Sequence, residues 1–168
     1  NCERKKLRRD IYKVGFGINF VARGETVMAF CLDRVVPWGR NMDELENVRM
    51  SAMQLFLADY EHGKEEKRYI CHELPEKLPY TDKTFDIGLS SHFLLMYTML
   101  GYDFHVKSMN EMLRVCKEIR IFPIVDLDAN KTELISNVIK YFKNHYEVEI
   151  RDTQYEFQKG GNKMLIIR

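Results

Sequence analysis

The chain has 168 residues, 45% of them hydrophobic and 30% charged, with a net charge of +1, which suits one domain with a real core. So even a charge balance excludes electrostatic binding of nucleic acid by the whole surface, and no apolar run approaches the ~20 residues of a membrane span. Cys2, Cys31, Cys71 and Cys116 are scattered with no C-x-x-C pair, which indicates neither a zinc site nor a disulfide framework; reduced thiols and a cytoplasmic location are the expectation.

The N-terminus carries five positive charges in six positions, Arg4 to Arg9. Without interleaved aromatics this reads as a solvated basic end, and a nucleic-acid partner is not expected. Residues 11–31 hold two β-prone runs around Arg23-Gly24-Glu25, the pattern of a hairpin. Gly15-Phe16-Gly17 is a weak nucleotide-loop signal, because Asn19 stands where a third glycine is wanted and no helix follows. Residues 32–40 are extended, with Trp38, the only tryptophan, anchoring a strap onto the core or covering a ligand. Asn41 with Glu44 caps a helix over residues 41–60, whose inward face is Leu45, Val48, Ala52, Leu55 and Phe56, and Gly63 suits a left-handed terminus. A short strand follows near Tyr69-Ile70. The cluster Cys71-His72-Glu73 has a metal-ligand look, but three adjacent residues of an extended segment point to alternate sides.

Residues 78–92 hold the strongest signal. A polar turn at 81–84 delivers the chain into Phe85-Asp-Ile-Gly-Leu89, a buried strand that ends on Ser90-Ser91-His92. In open α/β sheets, ligands sit outside the carboxyl ends of the strands. A helix is expected from about 103 to 116, with Val106, Met109, Leu113 and Cys116 inward. A second buried strand over 119–127 is interrupted at Pro123. Asn130 with Glu133 caps a helix with Ile135, Val138, Ile139 and Phe142 inside. Residues 146–150 alternate as a half-buried strand. Residues 155–158 and 164–167 are expected to form an antiparallel pair about Gly160-Gly161-Asn162.

The run Leu78-Pro-Tyr-Thr-Asp-Lys-Thr-Phe-Asp86, with the small residues after its strand, resembles the fourth-strand motif of class I, Rossmann-like S-adenosylmethionine-dependent methyltransferases. Val36-Pro-Trp-Gly-Arg40, Glu73-Leu-Pro75 and Tyr155-Glu-Phe-Gln-Lys-Gly-Gly161 resemble segments of the bacterial small-molecule type. The resemblance runs from about residue 32 to 168. It implies an α/β fold with a Rossmann-like methyltransferase sheet, mostly parallel with an antiparallel C-terminal strand pair and with its N-terminal half truncated. The domain organisation that follows is a basic segment and hairpin over 1–31 and a partial methyltransferase domain over 32–168. It implies S-adenosylmethionine as cofactor, lined by Glu73, Leu74, Ser90 and Ser91, with His92 as a base towards a small-molecule acceptor. Arg40 passes almost directly into a helix, where the family has its first strand, glycine-rich loop and ribose-binding acid. Weak cofactor binding is therefore expected, and a non-catalytic interaction module is the alternative. Loss of the family's first strand would also expose an edge beside residues 85–89, so the hairpin, the strand at Tyr69-Ile70 or a second copy of the chain must cover it; the hairpin is favoured, because its β-prone run Val14 to Val21 otherwise has no sheet to join.

Overall fold

The computed structural model describes residues 17–22, 25–31, 42–156 and 158–168; for the first two strands, only the backbone is described. The elements are β1 (Gly17–Ala22), β2 (Glu25–Cys31), α1 (Met42–Glu65), β3 (Tyr69–Ile70), β4 (Phe85–Ser91), a 3-10 turn (Thr98–Leu100), α2 (Tyr102–Val115), β5 (Cys116–Phe122), α3 (Glu133–Lys143), β6 (Val148–Asp152) and β7 (Lys163–Ile167). The basic run Arg4 to Arg9, Gly15-Phe16, the Trp38 strap and the Asn41 cap lie outside the described residues, as do the side chains of Leu45, Val48 and Ala52.

Among the described residues, the seven strands form one sheet in the order β3-β1-β2-β4-β5-β7-β6. β1 and β2 are antiparallel, with Ala22 opposite Glu25, so two residues connect them as the hairpin pattern requires. β2 then pairs in parallel with β4, from Val27 opposite Ile87 to Cys31 opposite Ser91. The hairpin therefore covers the edge that the sequence left open. On its other side β4 pairs in parallel with β5. β1 and β7 run against these strands, while β3 and β6 return to their direction. The sheet is mixed.

One expected pairing is corrected. β7 pairs with β6 and β5, not with residues 155–158. Tyr155, Glu156 and Gln158 lie in the connection between β6 and β7, whose base is closed where Thr153 N–H donates to Asn162 O. Gly160 takes a positive φ of 82° and Gly161 N–H donates to Gln158 O, so the glycines turn the chain inside that connection.

Ile119, Ile121, Leu165 and Ile167 are fully buried on one sheet face beneath α2 and α3. From α2, Met109, Met112 and Leu113 enter this core, and from α3 Ile135, Val138 and Phe142. The inward set expected for α3 is thus seen, with Ile139 partly buried. Its cap is Thr132, whose side-chain oxygen accepts from Ile135 N–H, in place of Asn130. Cys116 opens β5 instead of closing α2, and β5 ends at Phe122, before Pro123. Glu111 and Arg114 of α2 hold the run before β4: Glu111 accepts from Leu78 N–H, while Arg114 donates to the Leu78 and Tyr80 carbonyls.

α1 departs most from expectation. Leu55, expected inside, is 73% exposed, and Met50, Met53 and Leu57 are also exposed. Its described packing is against β3: Phe56 and Tyr60 meet the Tyr69 ring, and Asp59 accepts from Arg68 and from the Tyr69 hydroxyl. Gly63 is interior to the helix, and its role is close approach. A Cβ there would collide with the Tyr69 ring, while the left-handed exit is made by Lys67 at φ 59°. No helix among the described residues is long and apolar enough to cross a membrane.

Candidate functional site

The registers place Ile70, Gly17, Phe30, Ser90 and Ile121 on one rung of the sheet. β2, β4 and β5 thus end side by side at one margin, where β3 also ends. Ser90 is buried, and its hydroxyl accepts from Leu94 N–H at 3.3 Å, fastening the chain as it leaves β4. Ser91 is half-buried, and its Oγ lies 2.6 Å from His92 Nδ1. With the ring proton on Nε2, the hydroxyl donates to Nδ1. His92 itself is 4% exposed, has φ 58°, donates its N–H to Phe122 O at 2.7 Å, and sets its ring edge-on to Phe122. Burial holds its imidazole below the usual histidine range, so at neutral pH the ring is uncharged and can take a proton.

Glu73 and Leu74 lie apart from this cluster. Ile70 and Ser90 are three strand spacings apart, about 14 Å. Leu74 is buried in the core, and Glu73 is exposed with its carbonyl accepting from Glu76 N–H. The sequence-predicted residues thus fall into two groups at one margin: Ser90, Ser91 and His92 together, and Glu73-Leu74 towards the β3 edge. His72, between Cys71 and Glu73, bonds through Nε2 to Glu76 O.

Three residues of the site were not among those expected. Phe122 ends β5, and Tyr155 leans on it at 5.8 Å between ring centroids. Tyr155 is held there by its own connection, where Thr153 Oγ1 donates to Tyr155 O and Gln158 Nε2 donates to Asp126 O. The signal for Phe122 was its place before Pro123, which ends the strand. The third, His105, sits on the buried face of α2 one turn before Ser108 and Met109. It accepts from Leu95 N–H at Nδ1, 3.4 Å, and donates from Nε2 to Tyr97 O, 3.2 Å, so it holds the loop after β4 in shape. Leu95 has φ 68° in this loop.

His105 gives a pH prediction. Burial lowers its affinity for a proton, with a smaller opposing pull from the Tyr97 carbonyl. The unfolded chain therefore protonates first, near about pH 6.5. Stability should fall as pH drops through that value and level off once the folded ring protonates. One such histidine contributes a slope of at most about 1.4 kcal/mol per pH unit. His105→Gln, which keeps a donor for Tyr97 O, should make the fall in melting temperature from about pH 7 to pH 5 shallower. An unchanged slope in thermal melts contradicts this role.

No family model matches the chain. It is 41% identical over 130 residues to an uncharacterized protein of Methanocaldococcus jannaschii, a match covering 77% of this chain and 56% of that protein. The chain thus spans a little over half the length of this relative. Among solved structures, a SAM dependent methyltransferase from Aquifex aeolicus aligns over 64% of this chain and 58% of that one, at 15% identity and a TM-score of 0.33.

Proposed function

We propose that this chain carries the acceptor-side half of an S-adenosylmethionine-dependent methyltransferase-type site. The observation that supports this most is the end of β4: the run 78–86 that resembles the family leads into a strand flanked by parallel neighbours, and Ser91 and His92 meet at its carboxyl end. Methyl transfer asks a protein chiefly for positioning, because the sulfonium is already activated. Exposed Glu73 and half-buried Ser91 would face the cofactor, Leu74 and Ser90 would hold them in place from the core, and His92 would take the acceptor's proton through Ser91. β2 stands beside β4, where the family has its first strand, without the glycine-rich loop that would hold the methionine moiety.

The expected consequence is weak cofactor binding. Calorimetric titration with S-adenosylmethionine should give a dissociation constant above about 100 μM. A low-micromolar constant, about −8 kcal/mol, would show a complete donor site and overturn the half-site reading.

A further inference from the structure

β6 is the last strand of the sheet on the side away from the hairpin, and among the described residues it pairs with β7 alone. Glu147 N–H donates to Arg168 O, Arg168 N–H donates to Glu147 O, and Thr153 N–H donates to Asn162 O. Along an antiparallel strand the hydrogen-bonding groups of successive residues point to opposite sides. The odd-numbered residues of β6 therefore face β7, and the N–H and C=O groups of Val148, Ile150 and Asp152 point outward along the sheet edge. The connection after β6 is drawn the other way, towards the end of β5, where Tyr155 leans on Phe122 and Gln158 donates to Asp126 O. Ile150, at the middle of the strand, is 41% exposed, and Arg151 and Asp152 are exposed beside it.

We propose that the β6 edge pairs antiparallel with the same edge of a second copy of this chain, about a two-fold axis at Ile150, joining two sheets into one. An open strand edge is a template for another strand, and charge complementarity selects which one. The strand reads Val-Glu-Ile-Arg-Asp. Turned upon itself about Ile150, it sets each Glu149 directly opposite the partner's Arg151. Those are non-hydrogen-bonded positions, where opposed side chains come closest. Ile150 then meets the partner's Ile150, and Val148 the partner's Asp152, through the outward backbone groups.

The two nearest registers that also match those backbone groups are disfavoured by charge. An axis at Glu149 opposes two glutamates, and an axis at Arg151 opposes two arginines. Within one chain Arg151 already donates to Glu149, Nε to Oε1 at 2.8 Å and Nη2 to Oε2 at 3.0 Å, so the two lie together on one sheet face. The partner's pair completes a square of four charges of alternating sign. Arg168 reaches Glu147 and Glu149 from the β7 side, and Asp152, set opposite the partner's Val148, keeps Lys163 as its ion-pair partner. A five-residue edge is a small interface, so the dimer is concentration-dependent and weakened by salt.

The test is sedimentation of the full chain from about 10 μM to about 1 mM at low salt, with amide hydrogen exchange at both ends of that range. A monomer–dimer equilibrium is expected, the amides of Val148, Ile150 and Asp152 gaining protection as the dimer forms. Ile150→Lys sets two like charges opposite each other at an exposed position. It should raise the dissociation constant roughly tenfold or more and leave the melting temperature of the dilute chain unchanged. Arg151→Glu should weaken the dimer similarly, and Glu149→Arg combined with Arg151→Glu, which exchanges the two charges, should restore it. A chain that stays monomeric throughout overturns the proposal, as does a dimer indifferent to Ile150→Lys. An exchanged pair that dimerises no better than Arg151→Glu alone, or protection gained on α1 or β3 instead of β6, overturns it too.

Discussion

Removing residues 1–31 should yield a chain that aggregates or unfolds at room temperature. These residues supply β1 and β2, and β2 meets β4 over five register positions in the middle of the sheet. Without it β4 becomes an unpaired edge whose other neighbours remain, and β3 loses β1, its strand partner. Each buried backbone group left unmade costs about 1–3 kcal/mol, and several together consume most of the roughly 5–15 kcal/mol that stabilises a domain. An open strand edge also recruits other chains. Light scattering and thermal melts decide the matter. A monomeric truncated chain with an unchanged melting temperature contradicts the pairing of β2 with β4.

The second large effect is expected at Gly88, in the centre of β4. It is fixed between Met28 of β2 and Ile119 of β5, so its backbone has no room to yield. A Cβ built there would lie 2.7 Å from Cys116 Sγ and 3.4 Å from Ile119 Cγ2. Burial pushes the Cys116 thiol up to about 12, so it is a neutral filler and not a reactive group. Gly88→Ala should therefore cost about 1–3 kcal/mol, as overpacking of a tight core does. Cys116→Ala removes the colliding sulfur, so the double variant should recover a good part of the loss and show strong coupling in a double-mutant cycle. Simple additivity of the two single changes would sink the argument.

What could be read from the sequence was what local chemistry decides. β4 was legible because a polar turn, an apolar run and two serines mark its ends. α3 was legible because Ile135, Val138 and Phe142 recur at helical spacing over a short, well-capped segment. The choice of the hairpin as β4's neighbour followed from arithmetic, since an apolar strand cannot remain an edge. Other features depend on distant partners. The glycines at 160–161 signal a turn but not which strands it joins, and β7 found β6 because Thr153 and Asn162 close the longer connection. α1 has a plausible inward face by spacing, yet Leu55 is exposed because β3, the element packed beside it, is met by Phe56 and Tyr60 instead. At the site, Ser90, Ser91 and His92 were visible because they follow a strand. Phe122 and Tyr155 were not, because the two are 33 positions apart and only the folded β6–β7 connection brings them together.

The central claim is that the carboxyl ends of the sheet strands form a methyltransferase-type site centred on β4. Residue-resolved nitrogen-15 spectra of the full chain, recorded during titration with S-adenosylmethionine to millimolar concentration, test it most directly. The account predicts weak but saturable shifts in two groups, at Glu73-Leu74 and at Ser90 to His92. Absence of shifts in both groups at saturating cofactor, or shifts confined to the α2–α3 surface, would contradict it.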